Sequence, residues 1–195
     1  MLTKTPLKAK TNLKKTRRIK KPGIKFNYLT DTIEALDGLG VAALKRVADQ
    51  LFSIYVLYRD GEYRTDGWFS QCITCDKWVR LETKKDGTID RRAIHWGHFQ
   101  SSRHNITRYD EENVNAQCQS CNIHNQGEQF KYSQVLEYKY GDGTAKRLQK
   151  LAKQEHPFSK EELVQVIADC QNYILHCETH PDNYLNQIDK QAVNS

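Results

Sequence analysis

An α+β fold is what this sequence predicts: a small hairpin-and-helix core stapled through four cysteines, flanked by helices and preceded by a basic tail. Three observations carry the prediction. Cys72-x-x-Cys75 and Cys118-x-x-Cys121 form two knuckles that enclose 42 residues, and four thiolates so spaced make the ligand set of a closed tetrahedral structural zinc site. Strand signals lie between the knuckles. Outside them, apolar residues recur every three or four positions, the helical period. On this basis the chain divides into a basic tail (1–29), a helical segment (30–67), the stapled core (68–132), a helical pair (133–180) and a polar tail (181–195).

Residues 1–25 carry ten Lys or Arg and no acid, in a chain whose net charge is +6. The remaining 20 bases therefore face all 24 acids, and the basicity belongs to the tail and not to the body. Such a run, without apolar period, is disordered in isolation and suits phosphate contact, here through Lys14, Lys15, Arg17, Arg18, Lys20 and Lys21. A solvated tail that serves solubility is the alternative. A helical signal opens near Thr30, with Asp31 placed to cap and Glu34 three residues on, until Gly38 and Gly40 interrupt it. From Val41 onward, Ala43, Leu44, Val47, Leu51, Ile54 and Tyr58 mark an amphipathic helix of about five turns.

Trp68 and Phe69 lead into the first knuckle, and Lys77 to Leu81 reads as a short strand. The turn dipeptide Asp86-Gly87 joins it to a second strand from Ile89 to Phe99. That strand puts Trp96, His98 and Gln100 on one face and His95, Gly97 and Phe99 on the other. Residues 101–112 read as loop, and a short helix starts at or just after Cys121. Ser133 to Lys153 and Ser159 to Cys177 both have helical spacing, separated by Pro157. Gly141 and Gly143 weaken the first, whereas Ser159-x-x-Glu162 gives the second a capping box. Cys170 and Cys177, about 10 Å apart along a helix, are beyond disulfide reach and read as core.

The longest apolar stretch, Leu51 to Tyr58, has eight residues, far short of the ~20 that cross a bilayer. No signal-peptide core opens the chain. The expectation is a soluble, cytoplasmic protein with no membrane contact and no disulfides.

The pattern Gly97-His98-Phe99, then Asn113, then Cys118-x-x-Cys121-Asn122 resembles the HNH nucleases, whose strand, loop and helix wrap a divalent metal in the arrangement called ββα-metal. The same stretch, with Tyr109-Asp110-Glu111-Glu112-Asn113-Val114, Ala116-Gln117-Cys118, Gly127 and Tyr140-Gly141, is similar to the NinG family of lambdoid phages, also called Rap. That resemblance covers roughly residues 68–145 and leaves the tail and the C-terminal helices unexplained. It implies a zinc-stapled, HNH-like core and a metal-dependent endonuclease acting in phage recombination. The implied substrate is branched DNA such as Holliday junctions and D-loops, in the cytoplasm of an infected bacterial host, with a phage recombinase as a further partner.

By the same resemblance His98 is the general base, and Asn113 holds the hairpin and the orientation of that imidazole. Asn122 and His124 are candidate ligands for a catalytic Mg²⁺ or Mn²⁺; as a second reading, Asn122 caps the helix that it opens. HNH enzymes commonly place Asp immediately before the catalytic His, where this chain has Gly97. His95, on the same face and about 7 Å along the strand, is the candidate replacement, and an imidazole ligand favours Mn²⁺ over Mg²⁺. Asn115 and Asn125 also stand where relatives often carry His and Lys. The missing Asp keeps open a non-catalytic, zinc-stapled DNA-binding module, and a general HNH nicking endonuclease on linear duplex shares the chemistry. Junction resolution needs two symmetric cuts, so a homodimer is expected, with the C-terminal helices as the available interface.

Overall fold

The computed structural model describes residues 26–184. The basic residues Lys14, Lys15, Arg17, Arg18, Lys20 and Lys21, and the polar stretch beyond Tyr184, lie outside the described residues. The helical layer is built from α1 (Val41–Arg59) and α5 (Lys160–Thr179). In α1 the expected spacing buries Leu44, Val47, Leu51 and Ile54, and in α5 Leu163, Ile167, Cys170 and Ile174 are buried in the same core. The α5 capping box forms in full: the Ser159 hydroxyl accepts from the Glu162 amide and the Glu162 carboxylate accepts from the Ser159 amide. Four backbone groups at a helix start need such partners. Because α5 packs on α1, its apolar face is engaged within the chain.

The expected helix from Thr30 is only a 3-10 turn, Ile33–Leu36, entered from Thr32. Asp31 accepts the Asn27 amide at 2.8 Å, so its carboxylate closes the preceding turn instead of capping a following one. After α1 come the antiparallel strands β1 (Gly61–Arg64), β2 (Gly67–Gln71) and β3 (Trp78–Arg80), in that order in one sheet. Arg64 pairs with Gly67 across the two-residue turn Thr65-Asp66, a hairpin that the sequence reading passed over. Trp68 is buried among Tyr58, Tyr63 and Tyr184, as a packing role requires.

The hairpin expected around Asp86-Gly87 is corrected. It exists only as two-residue strands, β4 (Glu82–Thr83) and β5 (Ile89–Asp90). Beyond Asp90 the chain turns, because the Asp90 carboxylate accepts the Arg92 amide at 3.0 Å. A new strand, β6 (Ile94–His98), then pairs antiparallel with β7 (Val114–Cys118), with His98 opposite Val114 and Ile94 opposite Cys118. Within the stretch read as loop, Asn105–Arg108 forms a single helical turn, α2. The single helix expected over 133–153 is two, α3 (Gln129–Tyr140) and α4 (Thr144–Leu151). Gly141 and Gly143 divide them at φ +102° and +89°, angles that residues with a Cβ rarely adopt. Tyr132 and Leu136 of α3, with Leu148 of α4, enclose a second small core together with Ile73 and Phe99. Among the described residues no helix is long and apolar enough to cross a membrane.

Candidate functional site

The two knuckles meet. Cys72 follows β2 directly, and its amide donates to the Lys77 carbonyl at 2.9 Å while its carbonyl accepts from the Asp76 amide at 2.9 Å, folding the first knuckle. The Ile73 amide donates to the Ala116 carbonyl, which fastens that knuckle to β7. Cys118 closes β7, and Cys121 lies in a π turn, Ser120–His124. All four sulfurs lie within 4.8 Å of one another. The Sγ atoms of Cys75 and Cys118 are 3.8 Å apart. Zinc–sulfur bonds of about 2.3 Å at tetrahedral corners put sulfurs about 3.8 Å apart, whereas a disulfide holds them at about 2.05 Å. The four cysteines thus fit a structural zinc ion. Burial pushes the Cys72 thiol up, but hydrogen bonds from the Thr74 hydroxyl and from backbone amides outweigh it and hold the thiol at about 7. Burial pushes the Cys75 and Cys121 thiols up instead, so of these three Cys72 is the one whose surroundings favour the thiolate a metal requires.

The hairpin's two faces differ. Ile94, Val114 and Ala116 join the large core, and on the same face the Trp96 ring meets the rings of Phe52 and His98, with centroids 6.1 and 4.6 Å away. His98 is half-buried, and its Nε2 lies 3.1 Å from the Arg108 carbonyl. A carbonyl only accepts, so in this contact the neutral ring carries its hydrogen on Nε2 and its lone pair on Nδ1. Burial pushes the His98 imidazole down to about 4, against the upward pull of hydrogen bonds to the Arg108 and Trp96 backbones, so the ring is neutral at cellular pH.

Asn113 is fully buried. Its carbonyl oxygen accepts the Gln100 amide at 2.6 Å, and its Nδ2 donates to the carbonyls of Gln100 and Thr107 at 3.0 and 2.8 Å. One side chain thereby latches the loop from 100 to 107. The next carbonyl, that of Arg108, is the one beside His98. Arg108 is itself clamped by Asp49 through two 2.7 Å hydrogen bonds, and Asp49 also accepts from the Tyr109 hydroxyl.

On the opposite face lie His95, Gly97, Asn115 and Gln117. The position before His98 is not vacant. A Cβ on Gly97 would stand 2.5 Å from Gln117 Oε1, so the Gln117 amide fills the space a side chain at 97 would need. Gln117 Nε2 donates to the Gly127 carbonyl at 2.8 Å and to Thr74 Oγ1 at 3.3 Å, and Thr74 Oγ1 is 3.3 Å from Cys72 Sγ. This chain ties the hairpin to the cysteines. Tyr132 of α3 adds a bolt: its hydroxyl accepts the Asn115 amide at 3.0 Å and donates to the Gly97 carbonyl at 2.9 Å. Neither Gln117 nor Tyr132 was assigned a role from sequence, although Gln117 stands beside Cys118 in the motif.

The expected shell for a catalytic cation is only partly assembled. His95 and His98 project from opposite faces of β6. His95 Nε2 is buried without a protein partner, as is Gln117 Oε1, so His95 retains the free nitrogen that a metal ligand needs. Burial also holds its imidazole below the usual range. Asn122 is half-buried and His124 exposed in the π turn. That turn begins at Ser120 and has no side-chain cap, so Asn122 does not cap it. His124 lines a depression of about 780 Å³ shared with Cys75, Cys118 and Cys121, and His95 lines a neighbouring one of about 600 Å³. Among the described residues, the cysteines are the one group of three or more His, Cys, Asp or Glu side chains whose ligand atoms converge.

The family model described as Bacteriophage Lambda NinG protein matches residues 70–179, more than half of the chain. The match reaches past the span read from the motifs and takes in α4 and α5. Neither the curated proteins nor the solved structures give a match.

Proposed function

Since the chain belongs to the NinG family, a phage protein family, we propose that it is a divalent-metal-dependent DNA endonuclease acting on branched recombination intermediates, with an HNH-like ββα-metal core around its zinc staple. The observation that carries the reading is the setting of His98. Its ring is neutral, and its Nε2 hydrogen is directed at the Arg108 carbonyl by a loop that Asn113 latches. Nδ1 is then the atom that takes a proton from water as that water attacks phosphorus and the P–O3′ bond breaks. His95, with Asn122 and His124, would hold Mg²⁺ or Mn²⁺ for charge neutralisation at a phosphate, on the face of β6 opposite His98. The protein's own part is to keep the imidazole neutral, oriented and rigid.

Two symmetric cuts in a junction call for two copies of the chain. With the α5 apolar face already used, the pairing surface lies elsewhere than its buried stripe. The tail adds sequence-independent attraction to phosphates, and a phage recombinase is the further partner this reading carries, inside the infected host.

A second reading has its own support. His98 and His95 lie on opposite faces of β6, and the convergent ligand group is the cysteine cluster, as a zinc-stapled DNA-binding module without catalysis would have it. The deciding experiment is cleavage of a labelled four-way junction beside a linear duplex of the same sequence, with Mg²⁺, Mn²⁺ or EDTA, for the native chain and His98→Ala. Metal-dependent junction cutting that His98→Ala abolishes is expected. Tight binding without cutting under any metal would leave the binding module, and equal cutting of the linear duplex would leave a general nicking enzyme.

A further inference from the structure

The body of this protein is acidic, yet its cations are unevenly placed. Three depressions of about 780, 600 and 690 Å³ run into one another on the knuckle side of the hairpin. The first and second share Arg80, Ala93 and Gln119, and the second and third share Asp90, Arg92 and His95. Together they form one continuous groove. Six cations line it: Lys77, Arg80, Lys84, Arg91, Arg92 and Lys131. Against them stand three carboxylates, Glu82, Asp90 and Glu128, so the groove carries +3. The other described residues hold 13 bases and 20 acids, a net of −7. Concentrated positive charge in a concave strip, on a body of the opposite sign, focuses potential along that strip.

We infer that this groove is the track for a DNA backbone, a second and structured phosphate-binding surface besides the basic tail. The inference rests on the proposed action on DNA and says where on the body the strand lies. Five of the six cations are exposed. Arg92 has 90% of its side chain in solvent and a single carboxylate neighbour, Asp90, so its guanidinium is available to a phosphate. The groove starts beside the cysteine cluster at His124 and runs past His95. A strand lying in it therefore passes both imidazoles on that side of the hairpin. Among the described residues a further set of exposed cations, Lys146, Arg147, Lys150 and Lys153, lies on and after α4, outside this groove.

The test is the salt dependence of junction binding by the full chain, compared with Lys77→Gln/Arg92→Gln/Lys131→Gln and with Lys146→Gln/Lys150→Gln on α4. Neutralising three phosphate contacts is expected to weaken binding about tenfold or more and to flatten the slope of log affinity against log salt by about 2.7. The α4 variant should leave both unchanged. Arg92→Gln alone, at a side chain almost wholly in solvent, should reduce the slope by about 0.9 with zinc content intact. Native binding and cutting with an unchanged slope in the groove variants, or a loss confined to the α4 variant, would overturn the track and leave the proposed activity standing. No DNA binding by the native chain would overturn both.

Discussion

Between α1 and α5 the chain buries Leu44, Val47, Leu51, Ile54, Leu163, Ile167 and Ile174; around the knuckles it buries Cys72, Cys118 and Cys121, with Val79 half-covered beside them. The first region is held by apolar area removed from water, at roughly 25 cal/mol per Å². The second has too little such area, and its cohesion comes from thiolates around one ion, backbone hydrogen bonds and the Gln117–Thr74 chain. The hairpin belongs to both: Ile94, Val114 and Ala116 lie in the first, and Cys118, at the end of β7, lies in the second. The contrast teaches that two halves of one small body can answer to different variables, one to temperature and denaturant, the other to metal and pH.

The strongest way to break that contrast is to remove the ion's ligands. Cys118→Ser should abolish stoichiometric zinc and, since structural zinc contributes about 10–16 kcal/mol of apparent binding energy in small domains, melt the knuckle end. Hydrogen exchange should then show protection lost in β7 and the π turn but kept in α1 and α5. Protection lost everywhere at once would show one cooperative unit. The reciprocal change, Leu163→Ala at a fully buried position, should cost about 2–5 kcal/mol in denaturant unfolding with zinc content unchanged.

Next in size is the contact between the two faces. Gly97→Ala places a Cβ 2.5 Å from Gln117 Oε1, an overpacking expected to cost about 1–3 kcal/mol. Adding Gln117→Ala should recover part of that, because the amide is gone while the Gln117 Cβ, 2.8 Å from the new methyl, stays. A purely additive double mutant would mean that the two residues do not compete for that space. The smallest effect is one of pH. His98 titrates near 6.5 when unfolded but at about 4 when folded. The unfolded chain therefore binds the proton first as pH falls. Stability from this group is complete above pH 6.5 and is lost between 6.5 and 4, by about 1 kcal/mol at pH 5.5. The melting temperature of His98→Phe, compared with the native chain between pH 7.5 and 5.5, should lack that component.

How much of this was legible beforehand follows from the range of each interaction. α1 and α5 were readable because their signal is local: apolar period in one, Ser159 and Glu162 three residues apart in the other. The cysteine cluster was readable because thiolates at knuckle spacing have few other uses in such a chain. The pairing of β6 with β7 was not, since Asp86-Gly87 is a strong local turn signal and the true partner of Ile94 is Cys118, 24 positions away. The break at Asp90 depends on one carboxylate reaching the Arg92 amide, which a pattern of residue types does not encode. In the site, Asn113 was singled out from its place in the motif, but the role of Gln117, opposite His95 in the ladder, was not. Gly97 looked like a missing ligand, and only packing reveals that Gln117 fills its place.

The packing of α5 on α1 also bears on where this protein can be cut. The family match begins at residue 70, and α1 ends at Arg59. The matched region therefore does not contain its own hydrophobic partner. A chain begun at residue 70 would carry Leu163, Ile167 and Ile174 as a bare stripe along a twenty-residue helix, and would be expected to aggregate or to borrow a substitute helix from a neighbour. The boundary of resemblance and the boundary of the folding unit are different lines on this sequence, and the second one runs upstream of Val41.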